Sequence, residues 1–223
     1  MRSRIDSAVF GPKKWQRWEV DCYHLLYDHD FCAYAEGSRT VCVDTVPGES
    51  LLKHVTRGTL TPRILRAAAR EFRRALQLWS EELDGPWSHG DPHLGNVIYD
   101  QSTDRARLID FEVIHHKSLP AVVWQADDLL VFLQDLVGLV SAEQWLSFAL
   151  CFINAYGQPE VTAELRKRLV VPSGVPGLWW KLRTEYLERR ELIRRIDALR
   201  HALDEKPNDS TIWQRFDLAT TVV

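Results

Sequence analysis

In Trp87-Ser88-His89-Gly90-Asp91-Pro92-His93-Leu94-Gly95-Asn96-Val97-Ile98-Tyr99, and in Leu108-Ile109-Asp110-Phe111-Glu112 after it, the chain carries the pattern that decides its fold. The apolar pair Val97-Ile98 predicts a short strand, and the polar residues 100–105 predict a turn. Residues 107–109 predict the returning strand. Such a hairpin would bring Asp110 beside Asn96.

The oxygen-bearing side chains of this pattern suit phosphoryl transfer. Moving a phosphoryl group from ATP to a hydroxyl requires a carboxylate near the attacking oxygen and hard oxygen ligands for magnesium. Asp91 and Asn96 lie five residues apart, which is the spacing in the kinase loop H-R-D-x-x-x-x-N. Asp91 is therefore the candidate catalytic residue that orients the acceptor hydroxyl, and Asn96 and Asp110 are candidate magnesium ligands.

The two motifs together resemble the kinase-like phosphotransferase superfamily, which includes the aminoglycoside phosphotransferase, choline kinase and lipopolysaccharide kinase groups. The resemblance covers about residues 5–140. It implies an α+β, protein-kinase-like fold of two lobes, with ATP and magnesium as cofactors. Residues 1–46 would form an abbreviated, β-containing N-lobe, residues 47–52 the hinge between the lobes, and residues 53–223 a large, mainly helical C-lobe.

The resemblance also assigns roles to residues outside the loop. Glu19 corresponds to the helix glutamate that pairs with a phosphate-binding strand lysine. The backbone of Asp44, Thr45 and Val46 would hydrogen-bond the adenine edge, although a plain Pro-Gly turn after a strand has the same sequence. Glu112 follows the metal-binding Asp by two positions, as an acidic residue does in the choline-kinase-like groups, and is a further candidate metal ligand.

Two more residues are expected to support the loop. The resemblance implies that His89 packs against the loop and forms a hydrogen bond with the backbone near Asp110. Asp128 lies in an apolar helical pattern, where a buried carboxylate needs hydrogen-bond partners. The family's corresponding Asp accepts hydrogen bonds from the loop backbone, and a solvated charge at a helix end is the alternative for Asp128.

The chain also departs from the family pattern. The lysines nearest to Glu19 are Lys13 and Lys14, only six and five residues before it, whereas the family lysine stands about fifteen residues before. Three explanations remain open: an arginine replaces the lysine, the chain lacks an N-terminal piece, or ATP binding is degenerate. Only seventeen residues separate Asp110 from Asp128, with no A-P-E element, which favours a small-molecule or glycan hydroxyl over a protein as acceptor.

Composition limits the other classes of function. The chain has 223 residues, of which 45% are hydrophobic and 26% charged, with a formal net charge of −3. This composition predicts a globular protein with a substantial core and no nucleic-acid partner. No secretory signal or membrane-spanning stretch is visible, and the four cysteines form no C-x-x-C pair, so we expect a cytoplasmic protein. Peripheral membrane contact and the oligomeric state stay open.

The remaining patterns predict secondary structure. Apolar periodicity predicts helices over residues 13–28, 121–140 and 179–203, and a hairpin over residues 31–46. Thr61 and Pro62 predict the start of another helix, and Ser141 and Gly157 predict the ends of a further one. The arginines of residues 179–203 alternate with glutamates, which indicates a solvated, salt-bridged face or, less simply, a patch for a phosphate-rich substrate.

Two other functions compete with an active phosphotransferase. One is a hydrolase whose metal centre would use histidine and aspartate ligands, namely His89, Asp91, His93, Asp110, His115 and His116. The other is a catalytically impaired pseudokinase that binds nucleotide or a partner protein. The spacing of Asp91 and Asn96 has no explanation in the hydrolase, while the short N-terminal part suits the pseudokinase.

Overall fold

A computed structural model describes residues 7–9, 11–28 and 30–205 of the chain. The expected position of the strand lysine, near residues 2–4, and the end of the chain from residue 206 lie outside these ranges. The helices of the described part are α1 (Pro12–Tyr27), α2 (Leu51–Thr56), α3 (Pro62–Ala75), α4 (Ala121–Leu139), α5 (Ala142–Tyr156), α6 (Pro159–Arg168), α7 (Gly174–Arg183) and α8 (Arg189–Asp204). Its strands are β1 (Ser7–Val9), β2 (Ala33–Glu36), β3 (Thr40–Val43), β4 (Glu49–Ser50), β5 (Trp79–Ser80), β6 (Gly85–Pro86), β7 (Val97–Asp100), β8 (Arg105–Leu108) and β9 (Val113–His115).

The strands form small antiparallel sheets, most of them in the first half of the chain. Strands β2 and β3 form the predicted hairpin after α1. Strands β4, β7 and β8 form a three-stranded sheet in which β7 is central. Strand β1 pairs with β9, and β5 pairs with β6. The chain therefore combines α and β structure, with its sheets mainly N-terminal and its C-terminal part helical.

The hairpin of β7 and β8 is the one that the motif predicts. Val97 lies opposite Leu108, and Asp100 lies opposite Arg105 across the turn. The Tyr27 hydroxyl, on α1, donates a hydrogen bond to the Leu108 carbonyl oxygen at 2.8 Å and accepts one from the Leu108 N–H. This buried pair of hydrogen bonds fixes α1 against the strand that leads to Asp110.

Helix α3 begins as its sequence predicts and supports the hairpin. The Thr61 hydroxyl accepts a hydrogen bond from the Ile64 N–H, which satisfies one of the unpaired donors of the first turn. The apolar face of α3 packs against α5 and β8. Its Phe72 meets Phe132 and Phe152 at ring-centroid distances of 5.4 and 5.3 Å. Burying each such side chain contributes about 1.5–3 kcal/mol.

The two predicted central helices are confirmed as α4 and α5. Helix α4 is buried on most of its circumference, which explains why its sequence is apolar on more than one face. In α5 the Ser141 hydroxyl accepts a hydrogen bond from the Gln144 N–H, and Gly157 ends the helix in the left-handed conformation. The sequence signals at both ends of α5 were therefore sufficient.

The single long helix predicted over residues 179–203 is wrong. Helix α7 ends at Arg183 and α8 begins at Arg189. Between them Glu185 and Tyr186 adopt left-handed backbone conformations, with φ of 49° and 60°, which an α-helix cannot contain. The apolar periodicity runs across this break, so the pattern alone did not reveal it.

The arginines of this region are also less uniformly solvated than predicted. Arg195 is buried, and its Nη1 donates hydrogen bonds to the carbonyl oxygens of Val137 and Val140 at 2.9 and 2.8 Å. These carbonyls lie at the C-terminal end of α4, where partner donors are needed. Arg195 therefore caps α4.

The proposed hinge at residues 47–52 contains β4 and the start of α2. Because β4 pairs with β7, the end of this segment belongs to the sheet that contains the β7–β8 hairpin. The division into lobes stays a prediction. Within the described residues, no helix has the length and apolar character needed to cross a bilayer.

Candidate active site

The loop between β6 and β7 is held from below by Asp128 of α4. The side chain of Asp128 is 1% exposed. Its Oδ2 accepts a hydrogen bond from the His89 N–H and its Oδ1 one from the Gly90 N–H, each at 2.8 Å. Burial is the main cause that raises the pKa of Asp128 to about 6, so the two N–H groups are the partners that a buried carboxylate requires.

His89 links the loop to the hairpin as a neutral ring. Burial lowers its pKa to about 4, so the imidazole is uncharged at neutral pH. Its Nε2 lies 3.0 Å from the Ile109 carbonyl oxygen, and its Nδ1 lies 3.4 Å from the Asp91 backbone nitrogen. We assign the proton to Nε2, because only a donor satisfies the carbonyl oxygen and only an acceptor satisfies the N–H.

Gly90 is required by the backbone at this point of the loop. Its φ is +86°, and a Cβ atom there would lie 2.6 Å from the Val113 carbonyl oxygen of β9. Neither the conformation nor the close approach tolerates a side chain. The residue that follows, Asp91, is thereby directed out of the core.

Asp91 and Asn96 are joined through the loop backbone. The Asn96 Nδ2 donates a hydrogen bond to the Asp91 carbonyl oxygen at 3.1 Å. The Asn96 side chain is buried, and with its nitrogen fixed in this way its Oδ1, which has no hydrogen-bond partner among the described residues, could serve as a ligand atom. Between the two residues, the His93 Nδ1 accepts a hydrogen bond from the Gly95 N–H at 3.0 Å and begins the 3-10 turn Leu94–Asn96.

The hairpin then brings Asp110 to Asn96, as the sequence predicts. The Ile109 N–H donates a hydrogen bond to the Asn96 carbonyl oxygen at 3.0 Å. Asp110 adopts a left-handed conformation with φ of 66°, a strained state that is common in functional sites. Desolvation in the cleft and the negative charge of Asp91 raise the pKa of Asp110. A magnesium ion would offset this crowding of carboxylates.

Glu19 approaches the same site from α1. Its Oε2 accepts a hydrogen bond from the Phe111 N–H at 2.7 Å, and the Phe111 ring packs against His89 at a centroid distance of 5.2 Å. Burial, and to a lesser extent the charges of Asp110 and Glu112, raise the pKa of Glu19 to about 7. Glu19 therefore lies against the segment that carries Asp110.

The other predicted binding residues, Glu112 and residues 44–46, have fewer contacts with the loop. Glu112 is exposed, and its charge acts on Glu19. Asp44 uses its side chain and backbone within the hairpin, where its Oδ2 accepts a hydrogen bond from the Cys32 N–H at 2.8 Å. Thr45 and Val46 follow β3 outside any strand, so their backbone groups are not committed to a sheet ladder.

The segment that contains the loop and the hairpin also matches a known protein family in sequence. Residues 26–116 match the phosphotransferase enzyme family, APH. The resemblance to kinase-like phosphotransferases is thereby confirmed over this segment, which contains Asp91, Asn96 and Asp110. The APH match also supports phosphotransferase activity in general. No curated protein matches the chain.

The APH segment begins after Glu19, and the part of the chain before it provides no lysine for that glutamate. Lys14 pairs instead with Glu82, at 2.9 Å between Nζ and Oε1, and Lys13 is exposed. Across residues 7–9, 11–28 and 30–205, no lysine or arginine forms an ion pair with Glu19. Within the described residues, the site therefore lacks the lysine–glutamate pair of the kinase pattern.

One functional contact escaped the sequence analysis altogether. The Nη2 of Arg183, in the last turn of α7, lies 2.8 Å from the Asp91 Oδ1. Ninety-two positions separate the two residues. Arg183 was predicted only as one member of a charged helix face, and no local signal distinguishes it from the arginines around it.

The histidines of the APH segment do not assemble a metal centre. His89 uses a ring nitrogen on the Ile109 carbonyl oxygen of the hairpin, and His93 uses one on the Gly95 N–H of the loop. His115 is hydrogen-bonded to Ser88 at 2.9 Å and to Asp127 at 3.3 Å. His116 contacts Ser118 in its own turn. Among the residues that the structure describes, no three His, Cys, Asp or Glu side chains converge as metal ligands. This arrangement argues against the metal-dependent hydrolase.

Proposed function

We propose that this protein is an ATP- and magnesium-dependent phosphotransferase that phosphorylates a hydroxyl group of a small molecule or glycan. The observation that carries the proposal is the proximity of Asp91, Asn96 and Asp110 where the loop meets the β7–β8 hairpin. Asp128 supports the loop that carries the first two, and the Ile109–Asn96 hydrogen bond brings the third beside them. The APH match supports the same chemistry.

Asn96 and Asp110 are the residues that would hold the metal. The free Oδ1 of Asn96 and the carboxylate of Asp110 are hard oxygen donors, and magnesium requires only one or two protein ligands when phosphates and water complete its shell. When bound, magnesium neutralises charge on the β- and γ-phosphates of ATP. Glu112, on the exposed side of the same segment, would be an additional ligand.

Asp91 would act on the acceptor. Its carboxylate orients the hydroxyl and receives its proton as the hydroxyl oxygen forms a bond to the γ-phosphorus. The bond between the γ-phosphorus and the β–γ bridging oxygen breaks, and its electron pair leaves with ADP. His89 does not serve as the base, because both of its nitrogens are engaged and its ring is buried.

ATP would lie between the β2–β3 hairpin and the catalytic loop. In this proposal adenine binds to the backbone groups of residues 44–46 that the β2–β3 hairpin leaves free, and residues 47–52 act as the hinge. Glu19 supports Phe111 and the segment that carries Asp110. Residues 1–46 and 53–223 would then be the two lobes. The acceptor would enter from the side of Asp91 that Arg183 now occupies.

A pseudokinase is the second candidate, and a specific observation favours it. No described lysine or arginine pairs with Glu19, although the family uses such a pair to hold the nucleotide phosphates. A pseudokinase of this kind would bind nucleotide without transferring its phosphate.

The test is nucleotide binding and turnover by the full chain. Isothermal titration calorimetry with ATP and magnesium measures binding, and ADP release with a panel of hydroxyl acceptors measures turnover. We expect turnover that requires magnesium and is lost in Asp91→Asn and Asp110→Ala. Asp197→Ala, which removes an α8 carboxylate paired with Arg200, serves as the matched control.

Each outcome selects one interpretation. Binding without turnover under any acceptor supports the pseudokinase. Absence of binding at millimolar ATP and magnesium refutes both.

A further inference from the structure

We infer that Arg183 recognises a negative charge on the acceptor, so that the acceptor is an anionic hydroxy compound such as a hydroxy acid or the phosphate ester of a diol. The inference rests on the phosphotransferase function proposed above and specifies its substrate class. It starts from the ion pair between Arg183 of α7 and Asp91 of the catalytic loop.

The ion pair is open to solvent on one side. The Arg183 side chain is 26% exposed and the Asp91 side chain 31% exposed. Only the Arg183 Nη2 has a hydrogen-bond partner among the described residues, the Asp91 Oδ1. A guanidinium has five N–H donors in a planar fork. Most of the donors of Arg183 therefore remain available to a ligand, in the geometry that suits a carboxylate or a phosphate.

Arg183 is presented from a rigid support. The residue after it, Thr184, is fully buried, and its hydroxyl donates a hydrogen bond to the Trp180 carbonyl oxygen at 2.8 Å. A Cβ atom on Gly138 of α4 would lie 2.5 Å from the Thr184 carbonyl carbon. The backbone of α4 and the end of α7 are thus in direct contact, so the position of Arg183 relative to the loop is fixed by packing.

The charges near the pair indicate which acceptor would fit. The site already contains the carboxylates of Asp91 and Asp110, and Asp135 accepts a hydrogen bond from the Leu94 N–H of the loop at 2.8 Å. Arg183 brings a permanent positive charge to the point where the acceptor hydroxyl must approach Asp91. A cationic acceptor would have to compete with Arg183 for the Asp91 carboxylate, whereas an anionic group would bind the guanidinium and release that carboxylate for the hydroxyl.

The distance within the pair limits the shape of the acceptor. Because Nη2 and Oδ1 are 2.8 Å apart, a hydroxyl bound to Asp91 and an anionic oxygen bound to Arg183 would be about 3–6 Å apart, given ordinary hydrogen-bond lengths of about 2.6–3.0 Å. This separation suits a hydroxyl on the carbon next to the anionic group or one carbon further. The class is therefore 2- or 3-hydroxy acids, and phosphate esters with a neighbouring hydroxyl.

The test uses the full chain and four probes: glycerol, D-glycerate, glycerol 3-phosphate and choline. ADP release gives kcat and KM for each probe at saturating ATP and magnesium. We expect the better of the two anionic probes to exceed glycerol and choline by at least about 100-fold in kcat/KM. Loss of one charge-assisted contact should raise its KM in Arg183→Ala about 10–100-fold, with the KM for ATP unchanged.

Two further variants separate recognition from structure. Arg183→Lys keeps the charge but not the fork, and should recover part of the lost affinity. Arg190→Ala removes an exposed arginine in the first turn of α8, seven residues after Arg183, and should behave as wild type. Circular dichroism verifies that each variant is folded.

The outcomes distinguish this inference from the proposed function. Equal use of charged and uncharged probes, or faster turnover of choline or glycerol in Arg183→Ala, overturns the inference while the phosphotransferase stands. A raised KM for ATP in that variant overturns it as well, because Arg183 would then bind the nucleotide. If no turnover occurs, a thermal-shift measurement decides: the anionic probes must raise the melting temperature of wild type and not that of Arg183→Ala, and no shift in wild type refutes the inference.

Discussion

Replacing Asp128 with alanine should loosen the catalytic loop at its support. The carboxylate is 1% exposed and accepts the N–H groups of His89 and Gly90, each at 2.8 Å. The variant therefore leaves two buried backbone N–H groups without partners.

The expected cost follows from these contacts. Each unsatisfied N–H costs about 1–3 kcal/mol, which gives a gross loss of about 2–6 kcal/mol. The loss of a desolvated carboxylate offsets part of it, because burial raises the pKa of Asp128 to about 6 from 3.8, a shift that disfavours the ionised form by about 3 kcal/mol. We expect a net decrease of up to about 3 kcal/mol in the free energy of unfolding at pH 7.5.

The sign of the pH dependence is opposite to that of an ordinary paired carboxylate. Because the folded pKa lies above the unfolded one, the folded wild type takes up a proton as pH falls through about 6, and the unfolded chain does not. The stability of wild type relative to Asp128→Ala should therefore rise by about 1 kcal/mol between pH 7.5 and pH 5. This contribution is lost again as pH rises through 6.

Urea unfolding followed by tryptophan fluorescence measures both effects. Asp135→Ala is the control, because Asp135 accepts a hydrogen bond from a single loop N–H, that of Leu94. This variant should lose less unfolding free energy than Asp128→Ala. The reasoning is refuted if Asp128→Ala is destabilised less than Asp135→Ala, or if the difference from wild type decreases on acidification.

Three further substitutions test other contacts by urea unfolding. Burial raises the pKa of Glu19 to about 7, so its ionised form is disfavoured in the folded state above that pH. Between pH 5 and pH 8, the difference in unfolding free energy between Glu19→Gln and wild type should therefore shift by about 2–3 kcal/mol in favour of the variant. A pH-independent difference would contradict this. Gly90→Ala should lower the free energy of unfolding by more than about 2 kcal/mol, since its Cβ would lie 2.6 Å from a β9 carbonyl oxygen. The control Gly37→Ala, at positive φ with nothing within 4 Å, should lower it by about 1 kcal/mol. Equal losses would exclude the clash as the cause. Tyr27→Phe should lose about 2–4 kcal/mol by leaving the two β8 backbone groups unpaired, while the exposed Tyr34→Phe should stay within about 0.5 kcal/mol of wild type; a Tyr27→Phe loss no larger than that of the control would refute the role of the hydroxyl.

Much of the fold was readable because its signals are local. The start of α3 at Thr61 and Pro62 depends on groups within one turn of the helix, and the β7–β8 hairpin joins residues that are close in sequence. In both cases the residues that make the contact also make the pattern. Their physical chemistry can therefore be read without knowing the rest of the molecule.

The break between helices α7 and α8 could not be predicted from local sequence signals. The apolar period continues across residues 184–188, but Glu185 and Tyr186 turn the chain through left-handed conformations. That turn is compatible with the packing of Thr184 against Gly138, a contact between segments almost fifty residues apart in sequence. Such a contact leaves no periodic trace near either residue.

The sequence by itself determined the chemistry of the candidate site: the loop from His89 to Asn96, the hairpin to Asp110, and the resemblance that the APH match confirms for residues 26–116. Only the tertiary structure decided which residues from distant segments contact this site. Glu19 reaches Phe111, and Arg183 reaches Asp91, each across ninety-two positions of the chain. The physical reason is that spacing and propensity act over a few residues, whereas these partners are selected by the packing of α1 and α7 against the core.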